Sequence, residues 1–330
     1  MGRKRWLYLA AATALSLPIL PLTQSAAILP AATAACTRAL PAGNHTIQVR
    51  FRNVDYPVRV HVPAGLAAAS QVPVVVDLHP SGGNAETHTA YTRMDVLADQ
   101  ERFVTVRPNG NIPAADPNPN HVWFWNVPNV PTVSGQYPPP GSRDDIAYLT
   151  DVIDKTSALV CADPKRIAMS GHSGGARMSS AYACARPDKI SAIAAVVGLR
   201  AGRPALSDLT TPELQSCTPT EPVPVIAFHG TNDTVNPYQG NNDARWGYTA
   251  TMAVHSWARL NDCKEGPAAT TVSANVTSFT YTRCKSDATV AFYRVTNGTH
   301  SWPGSTNPAA TQEINATNLM WTFFKAHPRH

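Results

Sequence analysis

The pentapeptide Gly171-His172-Ser173-Gly174-Gly175 reads G-x-S-x-G. Arg166–Ser170 before it has the composition of a short strand, and the small-residue run Ala176–Ala185 after it that of a helix. A nucleophile elbow requires this strand–turn–helix setting, because the strained turn accepts only small neighbours around the serine. The chemistry expected is attack by Ser173 Oγ on an acyl carbon above the sheet edge. The same five residues also suit a plain Gly/Ser turn that starts a helix, so the reading depends on partners elsewhere in the chain.

A serine hydroxyl is a weak nucleophile until a base takes its proton and an acid orients that base. Val223–His229 reads as a buried strand and leads into Gly230-Thr231-Asn232-Asp233. Ala288–Thr296 reads as the last strand and leads into Gly298-Thr299-His300-Ser301-Trp302-Pro303-Gly304. Asp233 and His300 thus sit on loops after successive strands, which nominates Asp233 as the acid and His300 as the base. The chain order Ser, Asp, His matches α/β-hydrolases and differs from both classical serine-peptidase orders. Asp243 is the competing acid, and Asp233 beside Asn and Gly also suits a turn-holding role. His79, His172 and His229 read as loop-holding residues and His255 as helix surface.

An oxyanion hole needs two N–H donors aimed where charge develops. Gly174, directly after the nucleophile, supplies one. The other falls in His79-Pro80-Ser81-Gly82-Gly83, where Ser81 is the choice because Pro80 has no N–H. The resulting mechanism is acyl transfer through a serine ester. His300 shuttles the proton and Asp233 stabilises the imidazolium. It calls for no metal and no organic cofactor, and no C-x-x-C pair suggests zinc.

These residues need a sheet to position them. Thr46–Phe51 and Val58–Val62 alternate around a turn and read as an edge hairpin. Val72–Leu78 is a β-branched run expected to be a strand buried on both faces. Thr87–Glu101 reads helical and Phe103–Arg107 as a strand. Pro108–Gly141 is a long Pro/Asn-rich loop carrying Trp123, Phe124 and Trp125. Ser142 is the expected cap of a helix to Val160, and Ile190–Val197 the next strand. Asp243–Asn261 reads as a helix, Thr271–Thr282 as a strand and Thr311–His327 as a closing helix. Strands alternating with helices imply an α/β architecture, a mainly parallel sheet with helices on both faces.

The chain has 330 residues. Residues 1–35 follow the order of a secretory leader: basic start, apolar core, then small residues. The apolar core is too short and proline-broken for a stable membrane span. Residues 36–330 are expected to form one catalytic domain of a secreted protein, with no appended module. Three of the cations behind the net charge of +5 lie in that leader, Arg3, Lys4 and Arg5, which leaves the remainder close to neutral. With no cationic run, nucleic acid is not an expected partner. Composition leaves the oligomeric state open.

Six cysteines in an exported chain favour disulfides. Cys263–Cys284 is the expected local pair, with Cys36–Cys161 and Cys184–Cys217 as the preferred remainder among fifteen pairings. Cys36 after small residues also admits lipid attachment.

With these pieces placed, the sequence resembles the secreted polyhydroxybutyrate depolymerase and feruloyl/acetylxylan esterase group of α/β-hydrolases. The resemblance runs from about Cys36 to the C-terminal helix. It is carried by Leu78-His-Pro-Ser-Gly-Gly83, Gly171-His-Ser-Gly-Gly175 with Cys184 downstream, His229-Gly-Thr-Asn-Asp233 and Gly298-Thr-His-Ser-Trp-Pro-Gly304. It implies Ser173, Asp233 and His300 as the triad, and Asp144-Asp145 match a paired-acid position there. Pro80 departs from the glycine usual in that group. The substrate implied is a small, oligomeric or polymeric carboxylic ester. Trp123, Trp125 and Trp302 are candidates for lining an aromatic or sugar-binding cleft, with core or lid packing as the alternative. Peptide hydrolysis or acyl transfer on the same fold, and a non-catalytic secreted binding protein, are the competing classes.

Overall fold

The computed structural model describes residues 1, 2, 6, 7, 36–67 and 70–330. The expected leader falls almost entirely outside them. Cys36–His330 groups as one compact unit.

The first two strands, β1 (Gly43–Phe51) and β2 (Val54–Val62), form the edge hairpin. Its turn residues Arg52 and Asn53 both have positive φ (46° and 66°), which matches the right-handed strand twist. Ile47, Val49, Phe51, Val58, Val60 and Val62 turn to one buried face.

The strands β3 (Val72–Leu78), β4 (Val104–Pro108), β5 (Ala162–His172), β6 (Ala192–Val196), β7 (Val225–Gly230), β8 (Glu265–Thr271), β9 (Val276–Thr282) and β10 (Val290–Val295) complete a ten-stranded sheet. Its order is β1-β2-β4-β3-β5-β6-β7-β10-β9-β8. The six central strands from β4 to β10 are parallel, and antiparallel pairs close both edges.

Alternate strand residues feed two cores. Val74, Val76, Leu78, Ile193 and Ala195 face one layer, whose helices include α3 (Asp145–Val160), α4 (Gly174–Ala185) and α5 (Ala250–Leu260). Val75, Ala192, Ala194 and Val196 face the other, with α2 (Met94–Glu101) and α6 (Ala316–Ala326). A strand sandwiched this way has no solvent face, so the continuous apolar runs read from the sequence are physically required.

Several elements differ from the sequence reading. The helix expected over 87–101 is broken: α1 (Ala85–Thr92) and α2 meet at Arg93, whose φ is +52°. Asp144, not Ser142, caps α3, its carboxylate accepting from Ala147 N at 3.1 Å. The helix expected from Asp243 starts at Ala250, because Gly247 sits at φ +55° and Thr249 supplies the cap to Met252 N. The strand expected over 271–282 is the second arm of the β8–β9 hairpin, whose turn lies near Ser273.

Three disulfides join Cys36–Cys161, Cys184–Cys217 and Cys263–Cys284. The Cys36 sulfur is therefore engaged, which removes the atom that lipid attachment would need. Among the described residues no helix is long and apolar enough to cross a membrane.

Candidate active site

The C-terminal ends of β3, β5, β7 and β10 lie on one edge of the parallel sheet, where an open α/β sheet offers its crevice. Each end is followed by a loop carrying one nominated residue: Ser81, Ser173, Asp233 and His300.

Ser173 stands between β5 and α4 with φ 53° and ψ −115°. Such a backbone is strained for a non-glycine residue and persists only where the surroundings enforce it. Ser173 N donates to Val196 O at 2.8 Å, and its carbonyl accepts from Arg177 N at 3.0 Å. The flanking glycines are set by close approach. A Cβ at Gly171 would lie 2.4 Å from the Gly175 carbonyl carbon, and one at Gly175 2.2 Å from Leu78 O. The strand and helix therefore cross backbone against backbone, and the serine is pushed up at the turn.

Asp233 is buried, and both carboxylate oxygens are used. Oδ1 accepts from Val235 N and Asn236 N at 2.9 Å each. Oδ2 accepts from His300 Nδ1 at 2.8 Å and has His229 Nε2 at 3.4 Å. Burial alone would raise its pKa; hydrogen bonds and charge from His229 and His300 outweigh burial and hold it well below the usual carboxylate range. The Nδ1 contact leaves His300 Nε2 as the nitrogen free to exchange a proton. Asp243, the competing acid, is engaged instead by Arg245 at 2.7 Å.

An added Cβ at Gly174 would lie 3.1 Å from Ser81 N, so the two nominated oxyanion donors sit side by side. Neither amide donates to another group among the described residues. The Ser81 loop is built to stay put. His79 Nδ1 donates to Pro80 O at 2.8 Å and its Nε2 accepts from Gly110 N at 2.9 Å. Burial pushes His79 down to about 3, so its ring is neutral and both contacts hold. Trp125 Nε1 donates to His79 O at 2.8 Å, and Trp123 exchanges backbone bonds with Gly82 and Gly83 at 2.9 Å. Pro80 fits, because this turn uses only its carbonyl, which also accepts from Gly83 N.

The aromatic candidates separate. Trp125 is buried and lines a small cavity with Ser81 and Gly174. Trp123 is half-buried and clamps the Ser81 loop through its backbone. Trp302 does not line a cleft: it is 1% exposed, packs in the α6 core and donates its Nε1 to Thr317 Oγ1 at 3.0 Å. In the paired-acid position, Asp144 is the α3 cap. Asp145 pairs with Arg143 at 2.6 Å and accepts from Asn126 N at 2.8 Å, pinning the long loop.

One polar chain was not read from the sequence. Asp77 Oδ1 accepts from Ser170 Oγ at 2.6 Å and lies 3.0 Å from His88 Nε2. His88 Nδ1 contacts Tyr91 Oη at 2.6 Å, and Tyr91 Oη contacts His172 Nδ1 at 2.9 Å. The signal was available: an acid inside the apolar run Val72–Leu78 requires a buried partner. Among the described residues no group of three His, Cys, Asp or Glu side chains is arranged to hold a metal ion.

No family model matches the sequence. A feruloyl esterase B of Piromyces equi is 26% identical over 252 residues, covering 74% of this chain and 42% of that protein. A bifunctional acetylxylan esterase/xylanase of Neocallimastix patriciarum is 25% identical over 191 residues, covering 58% of this chain and 23% of that protein. The chain thus spans less than half the length of both. An acetyl xylan esterase from Aspergillus awamori superposes with a TM-score of 0.58 at 15% identity, over 84% of this chain and 98% of that one. The fold is that of the α/β-hydrolases.

Proposed function

We propose that this chain is an exported serine esterase that cleaves carboxylic esters through an acyl-enzyme. The observation that carries the reading is the 2.8 Å bond from His300 Nδ1 to Asp233 Oδ2, on the strand-end edge that also bears the strained Ser173. In this mechanism His300 Nε2 takes the proton of Ser173 Oγ as it attacks the ester carbonyl. The carbonyl oxygen gains charge and is met by the amides of Ser81 and Gly174, which need no reorganisation to donate. Collapse of the tetrahedral adduct expels the alcohol, protonated by His300. Water, deprotonated by the same nitrogen, then releases the acid and restores Ser173. Asp233, ionised throughout, holds the imidazole's orientation and favours its charged form.

The relatives' names make feruloyl and acetyl-xylan esters the first substrates to try. The leader-like residues 1–35 and three disulfides favour an oxidising, extracellular setting. The test is initial rates on p-nitrophenyl acetate and butyrate, methyl ferulate and acetylated xylan, for wild type and Ser173→Ala. Turnover of any of these esters that depends on Ser173 supports the reading. Equal rates in both proteins, or amide but no ester turnover, would replace it with one of the competing classes.

A further inference from the structure

Arg177 lies one turn beyond Ser173 on α4 and is 4% exposed, yet none of its three guanidinium nitrogens has a hydrogen-bond partner. The neighbouring guanidinium groups are all satisfied. Arg200 donates to Trp246 O, Leu199 O and Asn236 Oδ1 at 2.7–2.8 Å. Arg245 pairs with Asp243 at 2.7 Å and Arg203 with Glu213 at 2.6 Å. A second buried donor, Trp246 Nε1, is also unpartnered, and its ring lies 5.3 Å from Arg177 Cζ.

Arg177 and Trp246 line one cavity of about 30 Å³ together with Ser81, Gly174, Trp125 and Arg245. One water needs about 10–15 Å³ measured this way, so the cavity admits a group of about two polar atoms. Arg177 also lines a larger cavity of about 260 Å³ that shares Val127 and Val130 with the first. Burial pulls the Arg177 pKa down to about 9, which leaves it cationic at neutral pH. A buried cation whose donors find no acceptor in the protein is stabilised by an anion. The planar guanidinium fork matches a carboxylate in particular.

We propose that Arg177 and Trp246 Nε1 form a carboxylate-binding subsite beside the reaction centre, which selects esters whose acyl part itself carries a carboxylate. The acyl side is the one indicated, because the cavity wall includes both residues whose amides would hold the carbonyl oxygen and not His300, which would protonate the leaving alcohol. The inference rests on the serine esterase reading and goes beyond it in naming the substrate class.

The experiment compares kcat/KM for mono-p-nitrophenyl adipate and for uncharged p-nitrophenyl hexanoate, in wild type, Arg177→Met and Arg177→Gln. A buried hydrogen bond to a charged group predicts a wild-type preference of about 10- to 100-fold for the adipate ester. In the folded variants that ratio falls to about one or below, and inhibition by adipate weakens by the same factor. A wild-type ratio near one, or a variant that keeps the preference, overturns the subsite. If wild type hydrolyses neither ester, the esterase reading fails instead. Calorimetric adipate binding then decides the subsite: binding by wild type and not by the variants supports it, and no binding overturns it.

Discussion

The ring of His172 stacks on that of His300, with centroids 5.4 Å apart and planes inclined by 29°. His172 is buried, and burial, followed by the nearby His300, holds its pKa well below the ordinary histidine value. A neutral ring therefore backs the proposed base, limiting its rotation without placing a like charge beside the imidazolium. His172 is itself fixed by Tyr91 Oη, and through it by the buried His88 and Asp77.

Tyr91→Phe deletes the hydroxyl between two buried imidazoles and strands a polar nitrogen on each side. Such unsatisfied groups cost about 1–3 kcal/mol. Urea denaturation should report a loss of that size, while ester turnover falls by less than the change caused by Asp233→Asn. An unchanged midpoint would remove the chain from the list of what holds His172.

Asp233→Asn keeps the shape but offers an amide where His300 Nδ1 needs an acceptor, so the imidazole is held in the wrong tautomer. By analogy with other triads, kcat should drop by about 10⁴-fold with little change in KM. The pH dependence has a definite sign. A carboxylate with a depressed folded pKa stabilises above its unfolded value, near 3.9, and that stability is lost as pH falls toward the folded value. Acid denaturation below about pH 4 should therefore be shallower in the variant than in wild type.

His79 gives a second pH window. Its folded pKa is about 3 against a reference of 6.5. The unfolded chain binds a proton that the folded one refuses, so stability is complete above about pH 6.5 and declines as pH falls toward 3. The decline is at most about 1.4 kcal/mol per pH unit for one group. Denaturant titrations at pH 7, 6 and 5 should show it, and His79→Gln should lower the slope by about one proton. A slope that does not change would mean that another group, such as His172, supplies it all.

The disulfide Cys184–Cys217 ties the end of α4 to the segment 200–218, which walls the larger cavity, across 33 residues. Replacing both cysteines by serine should cost about 3–4 kcal/mol on the chain-entropy account. Thermal unfolding compared with the wild type measures it directly.

The central strands were legible because burial on both faces favours apolar residues: Val72–Leu78 is a strand over the range its composition indicates, whereas the exposed strand β8 was not read. The three cysteine pairs also follow the pairing preferred from the sequence. Element ends were less legible, because they turn on single backbone conformations such as Arg93 at φ +52° and Gly247 at +55°, which composition does not encode. At the site, loops after β7 and β10 led to Asp233 and His300, whereas Tyr91, His88 and Arg177 gave no local signal. The part played by Tyr91 arises from a contact across the chain: it reaches His172 over 81 positions of sequence. For Trp302 the sequence left cleft and core open, because an aromatic beside a candidate histidine fits both; the structure buries it in the core.

The central claim is that Ser173 is the nucleophile. The most direct test is treatment of the folded protein with a fluorophosphonate, followed by peptide mass mapping. A single adduct on the peptide containing Ser173, absent in Ser173→Ala and accompanied by loss of ester turnover, is the predicted result. An unmodified Ser173 in a protein that still hydrolyses esters, or an adduct on another residue that abolishes turnover, would contradict the account.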